Sequence, residues 1–157
     1  LSEYQGAWRR FEIKKYPIPD TKYQIPVISD YAHHPTEIKA TLAAAREKFK
    51  KKKIWAIFQP HQYQRTYFLF NEFISAFDLA DEIILTEIYD VAGREKKRIS
   101  EKITAKKLAQ KIKERGKKVH FIGNFQKIPQ FLRKRLKSKD LILIMGAGDI
   151  YKLLDQF

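Results

Sequence analysis

With 157 residues, 44% of them hydrophobic, the chain is long enough for one α/β domain with a real core and too short for a second full domain. No apolar run approaches the roughly 18 residues of a membrane span, and no basic-then-apolar leader opens the sequence, which together predict a soluble protein. Cysteine is absent, excluding disulfides and thiolate chemistry as suits a reducing compartment, while a net charge of +14 raises the question of a nucleic-acid partner.

In chain order, Arg9 to Tyr16 alternates as a strand, Pro17-Ile18-Pro19-Asp20 turns, and Tyr23 to Ile28 returns, so the two runs should pair as an antiparallel ribbon at a sheet edge. A polar knot follows, Ser29-Asp30-Tyr31-Ala32-His33-His34, and then Pro35-Thr36-Glu37, suited to the first turn of a helix. Ile38, Leu42, Ala45 and Phe49 recur at helical spacing, predicting a helix over about Pro35 to Lys50. Ile54 to Phe58 is apolar throughout, as a strand buried on both faces should be.

A second knot, Gln59-Pro60-His61-Gln62-Tyr63-Gln64-Arg65-Thr66, leads into a helix carrying Tyr67, Phe70, Ile74 and Phe77. Glu82 to Ile88 reads as a strand, and Tyr89 to Glu95 as a polar, glycine-hinged loop able to cover a site. Thr104 caps a helix with Leu108 and Ile112 on one face and Gly116 just past its end. Val119 to Ile122 is a strand, Ile128 to Leu136 a helix, and Leu141 to Met145 the last strand, running through Gly146-Ala147-Gly148 into a final helix to Leu154. The alternation predicts a three-layer, Rossmann-like α/β fold: a mainly parallel sheet of about six strands with an antiparallel edge and helices on both faces.

In a parallel sheet the carboxyl ends of all strands open on one edge, so Asp30, Tyr31, His33, His61, Arg65 and the Gly146-Ala147-Gly148 turn should converge there. Arg65 can clamp a carboxylate or phosphate, and neutral imidazoles can accept or donate near an amine. The plainer alternative for the first knot is an N-cap with solvent-facing histidines. The glycine turn can offer N–H groups to an anion or simply make a tight turn, and spacing alone leaves both open. Metal ligation ranks below small-molecule recognition, because adjacent His33 and His34 diverge. Neither a Gly-x-x-x-x-Gly-Lys-[Ser/Thr] phosphate loop nor a Gly-x-Ser-x-Gly nucleophile is present. The lysines spread over Lys50 to Lys53, Lys96 to Arg98, Lys106 to Lys118 and Arg133 to Lys139 read as a solvated surface, with a basic nucleic-acid-binding module as the rival.

Asp30-Tyr31-Ala32-His33-His34-Pro35-Thr36-Glu37 together with Phe58-Gln59-Pro60-His61-x-Tyr63-x-Arg65-Thr66 resembles the C-terminal domain of the Mur ligases. Gly6-x-x-Arg9-Arg10-Phe11-Glu12 is similar to that domain's opening, Asp90-Val91-Ala92-Gly93-Arg94-Glu95 to its mid-domain loop, and Gly146-Ala147-Gly148-Asp149-Ile150 to its final turn. The resemblance implies a cytoplasmic, ATP-dependent ligase of peptidoglycan synthesis in which an acyl phosphate is attacked by an amino group. The second element points to the member joining L-alanine to UDP-N-acetylmuramate; a tripeptide-recycling ligase is the alternative. ATP and Mg would be held mainly by a central domain absent from this chain, and a further absent domain would hold the UDP-sugar, so residues 1–157 alone should be inactive. By the same resemblance Arg10 and Asp30 lie near the nucleotide, Asp30 toward its ribose, and Tyr31, His33, His61 and Arg65 surround the incoming amino acid. Gln62 departs from the second arginine usual there, removing a charge from the pocket.

Overall fold

The computed structural model describes residues 9–90, 97–100 and 102–157; Gly6 of the opening signature and Val91 to Glu95 of the mid-chain loop lie outside them. The strands are β1 (Glu12–Pro17), β2 (Gln24–Asp30), β3 (Lys53–Phe58), β4 (Glu82–Leu85), β5 (Lys118–Phe121) and β6 (Asp140–Met145). The α-helices are α1 (Pro35–Lys48), α2 (Tyr63–Phe68), α3 (Phe70–Ser75), α4 (Lys97–Ser100), α5 (Ala105–Glu114) and α6 (Ile128–Arg133), with 3-10 helices at Phe125–Lys127 and Asp149–Gln156. One sheet in the order β1-β2-β6-β3-β4-β5 joins all the strands. β1 runs antiparallel to β2 at the edge, and every other pairing is parallel. The predicted class and edge ribbon are both present.

Strand parity divides the core in two. Ile28, Ile54, Ala56, Phe58, Ile83, Leu85, Leu141, Leu143 and Met145 share one cluster with Ile38 and Leu42 of α1, Phe73 of α3, and Leu108 and Ile112 of α5. Ile25, Val27, Trp55, Ile57, Ile84, Ile142 and Ile144 share the other with Ile128 and Leu132 of α6 and Ile150 and Leu153 of the last 3-10 helix. Because both faces are covered, β3, β4 and β6 show continuous rather than alternating hydrophobicity.

At the start of α1, the His34 ring Nδ1 accepts from Thr36 N–H (3.2 Å) while Glu37 accepts from His34 N–H (3.0 Å), with Pro35 at the first turn. At its end, Arg46 donates to the carbonyls of Lys52 (2.9 Å) and Leu79 (2.8 Å) and to Asp81 (2.8 Å), tying helix to strand entrances. α5 is capped by Thr104, and Gly116 follows with φ +94°.

Several boundaries differ from expectation. The first strand begins at Glu12 rather than Arg9, because Arg9 and Phe11 have φ of 60° and 49°, outside the extended range a strand needs. The helix expected through Tyr67 and Phe77 is two short helices bent at Leu69 (φ −106°, ψ 21°), α2 packing on α4 and α3 on α5. β4 ends at Leu85, since beyond it Glu87 N–H turns to the Gly123 carbonyl and Tyr89 N–H to that of Pro60. The helix expected over Ile128 to Leu136 is preceded by a 3-10 turn and stops at Arg133, and the final helix is 3-10 rather than α.

Candidate functional site

Chain order and sheet order part company at β6, which enters between β2 and β3. This crevice beyond the carboxyl ends of the strands is where open α/β sheets bind ligands. The three ends are stitched together: Gly146 N–H donates to the Asp30 carbonyl (3.3 Å) and Gln59 N–H to that of Met145 (3.2 Å).

From β2, Asp30 anchors the first knot. Its Oδ2 accepts from Phe11 N–H (2.8 Å), and its Oδ1 from Ala32 N–H (2.8 Å) and the Thr41 hydroxyl (3.2 Å). Tyr31 is 42% exposed and meets His33 edge to face at 5.3 Å. The His33 Nδ1 lies 3.0 Å from the Tyr31 carbonyl and 3.6 Å from Glu37. Both neighbours only accept, so they assign the proton to Nδ1 and leave Nε2 an acceptor. His34 turns away to cap α1, so the capping alternative holds for it and not for His33.

From β3, His61 brings the second knot to within 6.4 Å of the His33 ring and stacks on Tyr89 at 5.3 Å, 17° from parallel. Arg65 Nη1 donates to the His61 carbonyl (3.2 Å) and sits 3.3 Å from its Nδ1. Guanidinium can only donate, which makes Nδ1 the acceptor and places the proton of neutral His61 on Nε2. The two imidazoles therefore have opposite tautomers. Among the described residues, Arg65 Nε and Nη2 carry no hydrogen bond, so the guanidinium has donors to spare for an anion.

Arg10, exposed, shares with Asp30, Tyr31, Glu37 and Thr41 a hollow of about 270 Å³. The cation suits a phosphate, and Oδ2 of Asp30, with a single donor, retains room for a hydroxyl. These groups fit one part of a nucleotide; the volume falls below the roughly 300–1,000 Å³ of a site that encloses a whole small ligand. No three His, Asp or Glu side chains among the described residues gather closely enough to hold a metal ion.

The Gly146-Ala147-Gly148 turn reaches this edge but is filled from inside. The Gln59 amide donates to Asp149 (2.9 Å) and accepts from Ile150 N–H (3.2 Å), latching the turn to the end of β3. Three contributors escaped the sequence reading. Gln59, at the head of the second knot, gives no sign in the sequence of its bonds to Asp149 and Ile150. Tyr89, which lies just beyond β4, should have been counted by the same strand-end rule. Arg9, rather than its neighbour Arg10, is the buried one: it is 2% exposed, 5.7 Å from the Tyr31 ring and 5.1 Å from the Tyr151 ring, with burial lowering its pKa. No sequence signal separates the two arginines.

A doubly wound α/β domain that brings a guanidinium and two imidazoles to its switch point carries groups chemically suited to a small, charged ligand. A family model described as Mur ligase, glutamate ligase domain matches residues 9–148, and the chain belongs to that family. It is 45% identical to the UDP-N-acetylmuramate--L-alanine ligase of Sulfurihydrogenibium sp. (strain YO3AOP1), over 99% of this chain and 32% of that one, and 43% identical to the enzyme of that name from Acetivibrio thermocellus, over 100% and 31%. The crystal structure of UDP-N-acetylmuramate-alanine ligase from Thermotoga maritima superposes with a TM-score of 0.73 at 33% identity, covering 100% of this chain and 30% of that one. The chain thus spans about a third of the length of the curated relatives it matches.

Proposed function

We propose that this chain is the C-terminal domain of a cytoplasmic, ATP-dependent ligase that joins L-alanine to UDP-N-acetylmuramate, and that it supplies the amino-acid pocket. The observation that carries the reading is the convergence of Tyr31, His33, His61 and Arg65 across the β2/β3 crevice, in a chain whose relatives bear that name. The spare donors of Arg65 and the Nε2–H of His61 face the amino-acid carboxylate. The bare Nε2 of His33 accepts from the ammonium group and takes its proton, so that the amine is nucleophilic when the activated carboxyl arrives. Tyr31 walls the pocket on the side of Arg9. Arg10 and Asp30 hold part of the nucleotide, Asp30 toward the ribose hydroxyls. ATP supplies the phosphoryl group that activates the muramoyl carboxylate; Mg and most of ATP belong to regions of the longer protein outside this chain.

The test is ADP release by the longer protein, which should require both UDP-N-acetylmuramate and L-alanine, while residues 1–157 alone turn over neither. Ligase turnover by the 157-residue chain, or equal turnover with a tripeptide in place of L-alanine, would refute the reading. The basic-module alternative predicts salt-steep oligonucleotide binding that is indifferent to changes at Asp30 and His61.

A further inference from the structure

His61 is held from α2 through Arg65. It precedes α2, and the residue after it, Gln62, has φ +71° and ψ 130°, a conformation that L side chains rarely adopt. Further support comes from the chain beyond β4. Tyr89 N–H donates to the Pro60 carbonyl (2.8 Å) and the Tyr89 carbonyl accepts from Gln62 N–H (2.9 Å), so its backbone brackets His61 on both sides. Its ring then stacks on the imidazole at 5.3 Å. The ring also lies against Gly148: a Cβ there would lie 2.6 Å from Tyr89 Cγ and 2.6 Å from Gln59 Oε1. Neither atom yields cheaply. Cγ is fixed by the bracketed backbone, and Oε1 is fixed by its bond to Ile150 N–H.

We propose that Tyr89 is a positioning residue for the amino-acid pocket, and that Gly148 is glycine because the Tyr89 ring needs the space a Cβ would occupy. The inference rests on the amino-acid-pocket reading above and deepens it. The line of contact runs from Gly148 through the Tyr89 ring to His61, and from its Nδ1 to Arg65, so a displaced ring turns the imidazole and releases the guanidinium. It also gives the final glycine turn a purpose that tight turning alone does not. A turn could be made with a side chain at 148, where φ is −87°.

The test has two readouts. In this chain, NMR of the His61 ring reports the stacked neighbour through its ring-current shift and reports the tautomer through the ring nitrogens. Tyr89→Phe keeps the ring and should preserve both. Tyr89→Leu and Gly148→Ala should move the His61 resonances and let the tautomers mix. In the longer ligase, the same two changes should raise the KM for L-alanine about ten- to a hundredfold, the scale of an ångström-sized misplacement, with Tyr89→Phe near wild type and the KM for ATP little altered. Unmoved His61 resonances in Tyr89→Leu would overturn the positioning role whatever the enzyme does, and moved resonances with an unchanged KM would overturn its link to the amino acid. Failure of the pocket reading itself is seen separately, as an L-alanine KM indifferent to Arg65→Ala.

Discussion

Arg65→Ala separates a substrate clamp from a helix ornament. Among the described residues the guanidinium holds only the carbonyl and ring of His61, one turn back, and is half-buried. Its removal should therefore cost less than about 1 kcal/mol of stability. Against an amino-acid carboxylate the same side chain offers a charge-assisted contact through donors that have no other acceptor, worth about 2–4 kcal/mol. At 1.36 kcal/mol per decade this is roughly a 30- to 900-fold loss in kcat/KM for L-alanine. The loss should fall on that substrate, with ATP and UDP-sugar parameters less affected, and Arg65→Lys should rescue only partly because a point charge cannot reproduce the planar fork. The assay is steady-state kinetics of the longer ligase, varying L-alanine at saturating co-substrates, alongside circular dichroism and thermal melting. Unchanged L-alanine kinetics with an intact fold would refute the assigned role.

Gln62→Gly should leave the fold unchanged and raise stability by up to about 1 kcal/mol, since glycine accepts the positive φ at little cost; a loss of stability in denaturant titration would show that the Gln62 side chain contributes more than its backbone conformation costs. Phe77→Ala empties a fully buried site 5.4 Å from the Phe58 ring and should cost about 3–5 kcal/mol by the same titration. Asp81→Ala removes the acceptor of Ile54 N–H (2.7 Å) as well as the Arg46 partner and should cost about 1–3 kcal/mol, whereas Asp81→Asn keeps an acceptor and should cost less. Burial alone would raise the pKa of Asp81, but bonds from Arg46 and Ile54 and the Arg46 charge outweigh it; Glu82 is likewise lowered against burial by Lys53 and His120, and Asp78 by Arg115. A carboxyl lowered on folding stabilises fully above its unfolded pKa, about 4, and loses that contribution as pH falls through the folded value, so Asp81→Asn should flatten the acid limb of a stability-versus-pH curve.

Most strands were legible because they are buried on both faces and show it as apolar runs, β3 and β6 above all. The edge rule for parallel sheets then carried Tyr31, His33, His61 and Arg65 to one crevice from sequence alone, and it separated nothing within that crevice. The assignment of His34 to the helix cap and of His33 to the pocket depends on ring directions that adjacent positions do not encode. The bend at Leu69 was hidden because Tyr67, Phe70, Ile74 and Phe77 keep a helical spacing across it; its cause is tertiary, two helices serving two different neighbours. The burial of Arg9 was equally hidden, since it depends on Tyr151, 142 positions away in sequence (151 − 9).

The placement of β6 has a consequence for how the molecule comes into being. β2 and β3, which present the two polar knots, never touch as strands; at about 4.8 Å per strand spacing they stand roughly 10 Å apart, a gap held open and measured by β6 alone. β6 also follows the other five described strands in chain order, so a nascent or truncated chain that stops after β5 possesses no crevice. The crevice is therefore completed only when an apolar ribbon synthesised after both of its partners slots between them. Until that moment β2 and β3 each present an open edge, which makes this interval the one in which the chain is most exposed to joining the wrong partner.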